Sequence, residues 1–265
     1  MDHSVGMAIV GVLHPGAMGS AVGAALRAQG HEALWASEGR SVATAARAQT
    51  AGMRDVGTVA AVLARAQVVL SICPPHAALE TAELAAGFDG LYVDANAVSP
   101  DTARAAEEVV GGRFVDGGII GPPPSQPGAT RLYLSGGEAA SVAPLFGDGP
   151  LEAIALDGGV GAASALKMSY AAWTKGTAAL LVAIRATARE HGVDDALLRE
   201  WALSQPSLAE RYERAVEASA EKGWRWVSEM REIAQTFAAA NQPDGFHLAA
   251  AEVFASPPGA VRSSS

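Results

Sequence analysis

The sequence predicts an α/β domain followed by an all-helical one. Three observations carry this. Short apolar runs alternate with helix-like segments through residue 157, the opening run ends in a glycine-bearing turn, and from Val160 onward no period-two run is found. Alternation of this kind marks βαβ units on a mostly parallel sheet, with ligands at the carboxyl ends of the strands. The expected domains are 1–157, with a parallel-dominated sheet, and 158–265, all helical and led by one long helix.

In chain order, strands are expected at 7–13, 32–36, 68–72, 91–94 and 113–116. Helices are expected between them, near 17–29, 41–51, 57–65, 76–86 and 101–110. Turn chemistry supports the boundaries: Gly30 follows the first helix, Pro74-Pro75 follow the third strand, and Ser99-Pro100 open a helix. Two further strand-like runs lie at 131–134 and 151–156. The long helix is read over 160–190, and later breaks fall at Gly192, Pro206 and Gln242-Pro243-Asp244-Gly245. Pro257-Pro258-Gly259 and Ser263-Ser264-Ser265 read as a frayed tail.

Composition narrows the function classes. With 49% hydrophobic and 18% charged residues the chain is globular, and a net charge of −9 opposes a broad nucleic-acid surface. The single Cys73 cannot pair within the chain, which fits the cytoplasm. Beside His76 it could be read as a nucleophile with a base, but an inert thiol at a strand end is the expectation. The six histidines show no metal-ligand spacing, so no metal is expected. Met1-Asp2-His3-Ser4 does not resemble a signal peptide, and the most apolar stretch, 160–184, is interrupted by Lys167 and Lys175, so no membrane span is expected.

The opening turn is Gly11-Val12-Leu13-His14-Pro15-Gly16-Ala17-Met18-Gly19. Strand, tight turn and helix in that order leave unpaired N–H groups at a helix N-terminus, which suits a dinucleotide pyrophosphate. The usual fingerprint, G-x-G-x-x-G, is present in its last two glycines, Gly16 and Gly19, while His14 takes the first place. Gly16 would admit the phosphates, Gly19 would let the helix pack on the strand, and Met18 would point inward. The first domain is thus read as a Rossmann domain, with Leu13 to Gly19 and the turn Cys73-Pro74-Pro75 as cofactor contacts.

The end of the second strand should lie beside the adenosine ribose. Ser37, Arg40, Ser41, Thr44 and Arg47 crowd the following turn, with Glu38 as the one acid. Arginine and hydroxyl groups there favour the 2′-phosphate of NADP, and NAD is the alternative. A plain solvated turn with Ser41 as a helix cap is also open. Asn96, after the fifth expected strand, offers a donor and an acceptor to nicotinamide or its ribose. Gly117-Gly118-Ile119-Ile120, after the next strand, would bring backbone close to a substrate. Ordinary strand-to-helix turns would have the same composition.

In the long helix, Ser164, Lys167, Tyr170, Thr174 and Lys175 are spaced by three and four, a polar stripe among small apolar residues. Such a stripe is either solvated or lines a pocket. A partly desolvated lysine there could exchange a proton with a substrate.

Together these motifs resemble the β-hydroxyacid dehydrogenase superfamily, which includes 3-hydroxyisobutyrate and 6-phosphogluconate dehydrogenases, and within it the branch with a DUF1932-type carboxyl-terminal domain. The likeness covers nearly the whole length. The opening turn is similar to the family's G-x-I-G-L-G-x-M-G, and Tyr92-Val93-Asp94-Ala95-Asn96-Ala97-Val98-Ser99-Pro100 to the segment after its fifth strand. Phe114 to Gly121 stand where its substrate loop lies, Gly161 to Lys167 match the stretch ending in its catalytic lysine, and Glu229-Met230-Arg231-Glu232 resemble its later K-D pair. Ile120 replaces the family's substrate-binding serine, and Tyr170 and Ala171 its asparagines, so the carboxylate pocket is altered.

The resemblance implies hydride transfer at a nicotinamide, with Lys167 as general acid or base and Tyr170, Thr174 and Lys175 orienting the substrate. It implies a small-molecule substrate, touched by Gly117 to Ile120 and by Trp226, Met230 and Arg231. It also implies a homodimer whose cleft the partner completes. The neighbouring alternatives are an NADPH-dependent imine reductase and a non-catalytic NADP-binding sensor. A P-loop enzyme is excluded, because no Gly-Lys-Ser/Thr follows Gly11 or Gly16.

Overall fold

The computed structural model describes residues 6–256. Both the expected tail at 257–265 and the start at 1–4 lie outside the described residues. Contacts divide the chain into two compact units, the first ending at Lys167 and the second starting at Met168.

The first unit alternates strand and helix: β1 (Ile9–Val12), α1 (Ala17–Ala28), β2 (Glu32–Trp35), α2 (Val42–Thr50), β3 (Arg54–Asp55), α3 (Val59–Leu63), β4 (Val68–Ser71), α4 (Ala78–Glu83), β5 (Leu91–Asp94), α5 (Pro100–Val110), β6 (Arg113–Ile120), β7 (Thr130–Ser135), α6 (Ala139–Val142) and β8 (Leu151–Ala155). The eight strands form one sheet in the order β3-β2-β1-β4-β5-β6-β7-β8. Neighbours are parallel except β6 and β7.

Strand alternation sorts the core onto two faces. Val10, Val12, Leu70, Val93 and Val115 join one buried cluster, and Leu13, Val69, Tyr92 and Phe114 join the other. Helix starts follow local chemistry: Ser41, Thr58 and Ser99 each accept a backbone N–H at the start of α2, α3 and α5.

Two departures from the sequence reading concern the sheet. β3 is a two-residue strand, too short to leave a periodic signal. The strand expected at 113–116 continues through Ile120, and Gly117-Gly118-Ile119-Ile120 are not a loop. They pair with Leu134, Tyr133, Leu132 and Arg131 of β7. Glycine pairs read as turn signals, but here a neighbouring strand supplies the hydrogen bonds that decide the conformation. The connection of residues 121–129 is too short for a helical crossover, so β7 must return antiparallel. Gly121, at φ +127°, closes this loop where an added Cβ would lie 2.4 Å from the Ala129 carbonyl oxygen.

α7 (Ala162–Glu190) begins in the first unit and continues in the second. The second unit adds α8 (Asp194–Ser204), α9 (Leu208–Ala239) and α10 (Gly245–Ala255) and has no strand among the described residues. Asn241, at φ 55°, ends α9 in the left-handed conformation, and the Gln242 N–H returns to the Phe237 carbonyl at 2.9 Å. Leu181, Trp201 and Tyr212 form one buried cluster, and Met230 and Ile233 are fully buried. Among the described residues no helix is long and apolar enough to cross a membrane, and no His/Cys/Asp/Glu group could hold a metal ion.

Candidate functional site

The carboxyl ends of β1, β4 and β5 lie side by side with the middle of β6, and this level of the sheet carries the site. Ser71 pairs with Asp94, Asp94 with Asp116, and Asp116 with Ser135. Leu13 stands beside them, its N–H bonded to the Leu70 carbonyl at 3.1 Å.

Polar side chains at and beside this row hold segments of backbone. Asp94 Oδ1 accepts from the Asn96 N–H (2.9 Å), Asn96 Nδ2 donates to Ser71 Oγ (2.9 Å), and Asn96 Oδ1 accepts from the Cys73 N–H (2.6 Å). Asn96 therefore locks the Cys73-Pro74-Pro75 turn to the next strand end. Asp116, with no exposed surface, accepts at Oδ2 from the Gly161 N–H (2.9 Å), the Ser164 N–H (3.0 Å) and Ser135 Oγ (2.9 Å). Its Oδ1 accepts from Ser164 Oγ (2.6 Å), while Ser135 Oγ takes the Ala163 N–H (2.9 Å). A carboxylate thus sits at the N-terminus of α7, where free N–H groups and the helix dipole both favour it. Sequence reasoning placed Asp116 at the end of the strand expected over 113–116 and missed this role. Its partners Ser135 and Ser164 lie 19 and 48 positions further along the chain and carry no pattern that could have revealed it.

Lys167 lies two residues short of two full turns into α7. The helix runs so close to β6 that a Cβ on Gly118 would lie 2.8 Å from Lys167 Cβ and 2.9 Å from the Ala163 carbonyl oxygen. A Cβ on Gly117 would lie 2.9 Å from the Asp94 carbonyl oxygen. The two glycines admit a helix and a strand end, which corrects the expectation that they bring backbone close to a substrate. Ile119 and Ile120, at 7% and 5% exposure, are core residues of β6.

The glycine turn fits a dinucleotide phosphate. Gly16 caps α1 through its backbone, with no side chain covering the first-turn N–H groups of Ala17, Met18 and Gly19. An added Cβ on Gly16 would meet nothing within 4 Å, whereas one on Gly19 would lie 2.1 Å from the His14 carbonyl oxygen. The Gly16 N–H closes the turn onto that same oxygen at 2.8 Å. Leu13 and Pro15 are buried, and Met18 packs on the core as expected.

Arg40 reaches back from the β2–α2 turn to donate to the Leu13 carbonyl oxygen at 3.4 Å. His14 Nδ1 and Arg40 Nε are both buried without a hydrogen-bond partner among the described residues. Burial, and then the Arg40 charge, push the His14 imidazole down to about 4. Ser37 donates its N–H to Asp55 Oδ1 at 3.2 Å, and Ser41 caps α2. Burial pushes the Cys73 thiol up to about 11, which makes it inert as a nucleophile.

The remaining expected residues lie in the second unit and differ in environment. Tyr170 and Thr174 are exposed on α7. Lys175 is paired with Glu229 of α9 at 2.7 Å and lies 5.8 Å from the centre of the Trp226 ring, so its charge is committed within the unit. Arg231 is exposed and Trp226 half-buried, but Met230 has no exposed surface. Met230 is a core residue of α9, which corrects its assignment to a substrate wall: it faces the interior, while Arg231 faces out.

Comparison with known proteins bears on this arrangement. Residues 188–256 match a family model described as a domain of unknown function, DUF1932. An uncharacterized 28.5 kDa protein of Methanothermus fervidus is 32% identical over 164 residues, which cover 61% of this chain and 63% of that protein's length. The conserved protein MTH1747, of unknown function and described as structurally similar to 3-hydroxyacid dehydrogenases, superposes with a TM-score of 0.70 at 27% identity, covering 93% of this chain and 95% of its own. At lower identity, 17%, a Mycobacterium tuberculosis 3-hydroxyisobutyrate dehydrogenase superposes with a TM-score of 0.65 over 94% of this chain and 93% of its own. A reductive aminase from Aspergillus terreus, in complex with NADPH and ethyl levulinate, gives 0.60 at 18% identity over 94% and 93%. The fold, with its DUF1932 domain at the carboxyl end, is the one expected from the β-hydroxyacid dehydrogenase superfamily.

Proposed function

We propose that this chain is a cytoplasmic NAD(P)-dependent oxidoreductase that uses NADP and interconverts a small hydroxy acid or alcohol with its carbonyl compound. The observation that carries the reading is the anchoring of Lys167. Its helix is clamped to β6 by Asp116, beside the strand ends that also carry the uncapped first turn of α1. A nicotinamide dinucleotide bound at that turn supplies the hydride donor or acceptor. The first-turn N–H groups of α1 hold its diphosphate, and Arg40 favours a 2′-phosphate. Asn96 fixes the neighbouring turn, and Asp116 keeps Lys167 from drifting as a substrate binds. Lys167 gives a proton to the carbonyl oxygen in reduction and takes it back from the hydroxyl in oxidation.

Titration with NADPH and NADH, then a screen of hydroxy acids, aldehydes and cyclic imines at the nicotinamide absorbance, tests this. The fold-level likeness to a reductive aminase puts imines in the same screen. Lys167→Met is expected to keep NADPH affinity and lose about 100-fold or more in turnover. Near-wild-type turnover discards Lys167 as the proton donor, and binding without any turnover favours a sensor.

A homodimer is part of this reading. Tyr170, Trp173 and Leu180 are 48%, 64% and 58% exposed on α7, at spacings that put them on one stripe. A second copy of the chain, packed across a two-fold axis, would cover such a stripe on both subunits at once. Sedimentation showing a monomer that persists at all concentrations refutes it.

A further inference from the structure

The chain departs from the usual fingerprint at one place, His14, and the structure pairs that departure with a second residue. Arg40 comes from the far side of the β2–α2 turn. The turn is tight, with the Arg40 N–H bonded to the Ser37 carbonyl at 3.0 Å and Gly39 at φ +69°. It leaves Glu38 exposed and sends the guanidinium back onto the Leu13 carbonyl. Asp55, at the end of β3, is taken up by the N–H groups of Ser37 (3.2 Å) and Gly57 (2.8 Å). Asp55 is therefore committed to backbone and Glu38 is exposed, so neither acid is among the buried groups of this turn.

Instead, two basic side chains meet there, each with a buried nitrogen that has no partner among the described residues, His14 Nδ1 and Arg40 Nε. A buried polar group left unpaired costs about 1–3 kcal/mol, so such groups are expected to find a ligand. Two adjacent basic groups call for an anion, and a phosphomonoester has the charge and the acceptor oxygens to satisfy both. The uncapped N-terminus of α1 already serves a diphosphate. The His14–Arg40 pair lies on the β2 side of the turn, where the adenosine ribose belongs.

We propose that His14 and Arg40 form a clamp for the 2′-phosphomonoester of the dinucleotide, with the imidazole standing where the common fingerprint has a glycine. This rests on the reading of the turn as a dinucleotide site and deepens it. Uncharged in the free protein, His14 adds little repulsion to Arg40 until the anion arrives and draws a proton onto it.

Calorimetric titration of the wild-type chain, His14→Gly and Arg40→Gln with NADPH, NADH, 2′-AMP and 5′-AMP tests the clamp. The wild type should bind NADPH about 100-fold tighter than NADH, and 2′-AMP tighter than 5′-AMP. Each substitution should weaken NADPH about tenfold while leaving NADH within about twofold. A His14→Gly chain that binds NADPH as well as the wild type overturns the clamp, as does an equal loss for both dinucleotides, which marks a merely structural role. A wild type that prefers NADH also overturns it while leaving the oxidoreductase reading intact. A wild type that binds neither dinucleotide brings down both. Circular dichroism checks folding, and His14→Gln carries the same test if His14→Gly does not fold.

Discussion

The two units bury polar groups in opposite ways. In the α/β unit, Asp94, Asn96 and Asp116 are bonded largely to backbone N–H groups of segments that follow or face the strands. In the helical unit the buried charges pair with one another: Lys175 with Glu229 at 2.7 Å, and Arg185 with Asp194 at 2.7 Å while lying 4.4 Å from the centre of the Tyr212 ring. The cause lies in the backbone. Strand ends and helix starts leave N–H groups without partners, and a carboxylate can collect several of them. Helix interiors satisfy their own backbone, so a buried charge there finds only other side chains. The first kind of network shapes loops around a ligand site, and the second sets how helices lie against each other.

This contrast makes unequal predictions. Asp116→Ala leaves four donors of two segments without an acceptor, and urea denaturation should show a loss of about 4 kcal/mol or more, or no folded protein. No apolar substitution elsewhere should rescue it, because the backbone N–H groups remain. A loss under about 1 kcal/mol would mean that water replaces the carboxylate.

Lys175→Met should cost about 2–3 kcal/mol, because it removes the ion-pair partner of Glu229, whose side chain is 10% exposed. Adding Glu229→Leu should restore most of that stability, since an apolar pair can stand in for a buried ion pair. If the double variant is as unstable as the single one, the two networks do not differ in kind.

The smallest effect is in acid. Burial depresses both His14, to about 4 against 6.5 in the unfolded chain, and His247. Below pH 6.5 the unfolded chain takes up protons that these imidazoles refuse in the folded state, so stability falls as pH drops toward 4. His14→Gly should recover about 1 kcal/mol at most of the stability lost between pH 6.5 and 4, measured by urea denaturation at successive pH values, since His14 is partly exposed. An unchanged slope would assign it to His247 and other groups.

Much of the fold was legible because it is local. The 2.0 and 3.6 periods, Ser99-Pro100 and the Gly16–Gly19 turn each act over a few residues. The extension of β6 through Gly117-Gly118 was not legible. The same pair marks a loop or a close approach, and only the presence of β7 and α7 selects the second. The polar stripe of α7 illustrates the same limit. Helical spacing put Ser164, Lys167, Tyr170 and Thr174 on one face, but Ser164 is fully buried on Asp116 whereas Tyr170 and Thr174 are exposed.

Periodicity and turn chemistry in the chain were thus enough for most of the alternation of strands and helices, with β3 the exception, for the parallel-dominated sheet, for the change to helices after residue 160 and for the glycine turn, since each depends on neighbours a few positions away. Which polar side chain became a helix cap, which lysine was tied to a carboxylate, and which arginine came to lie on His14 depended on groups 48, 54 and 26 positions apart. Those pairings exist only after the chain closes on itself, because hydrogen bonds and charges act over a few ångströms of space and not along the sequence.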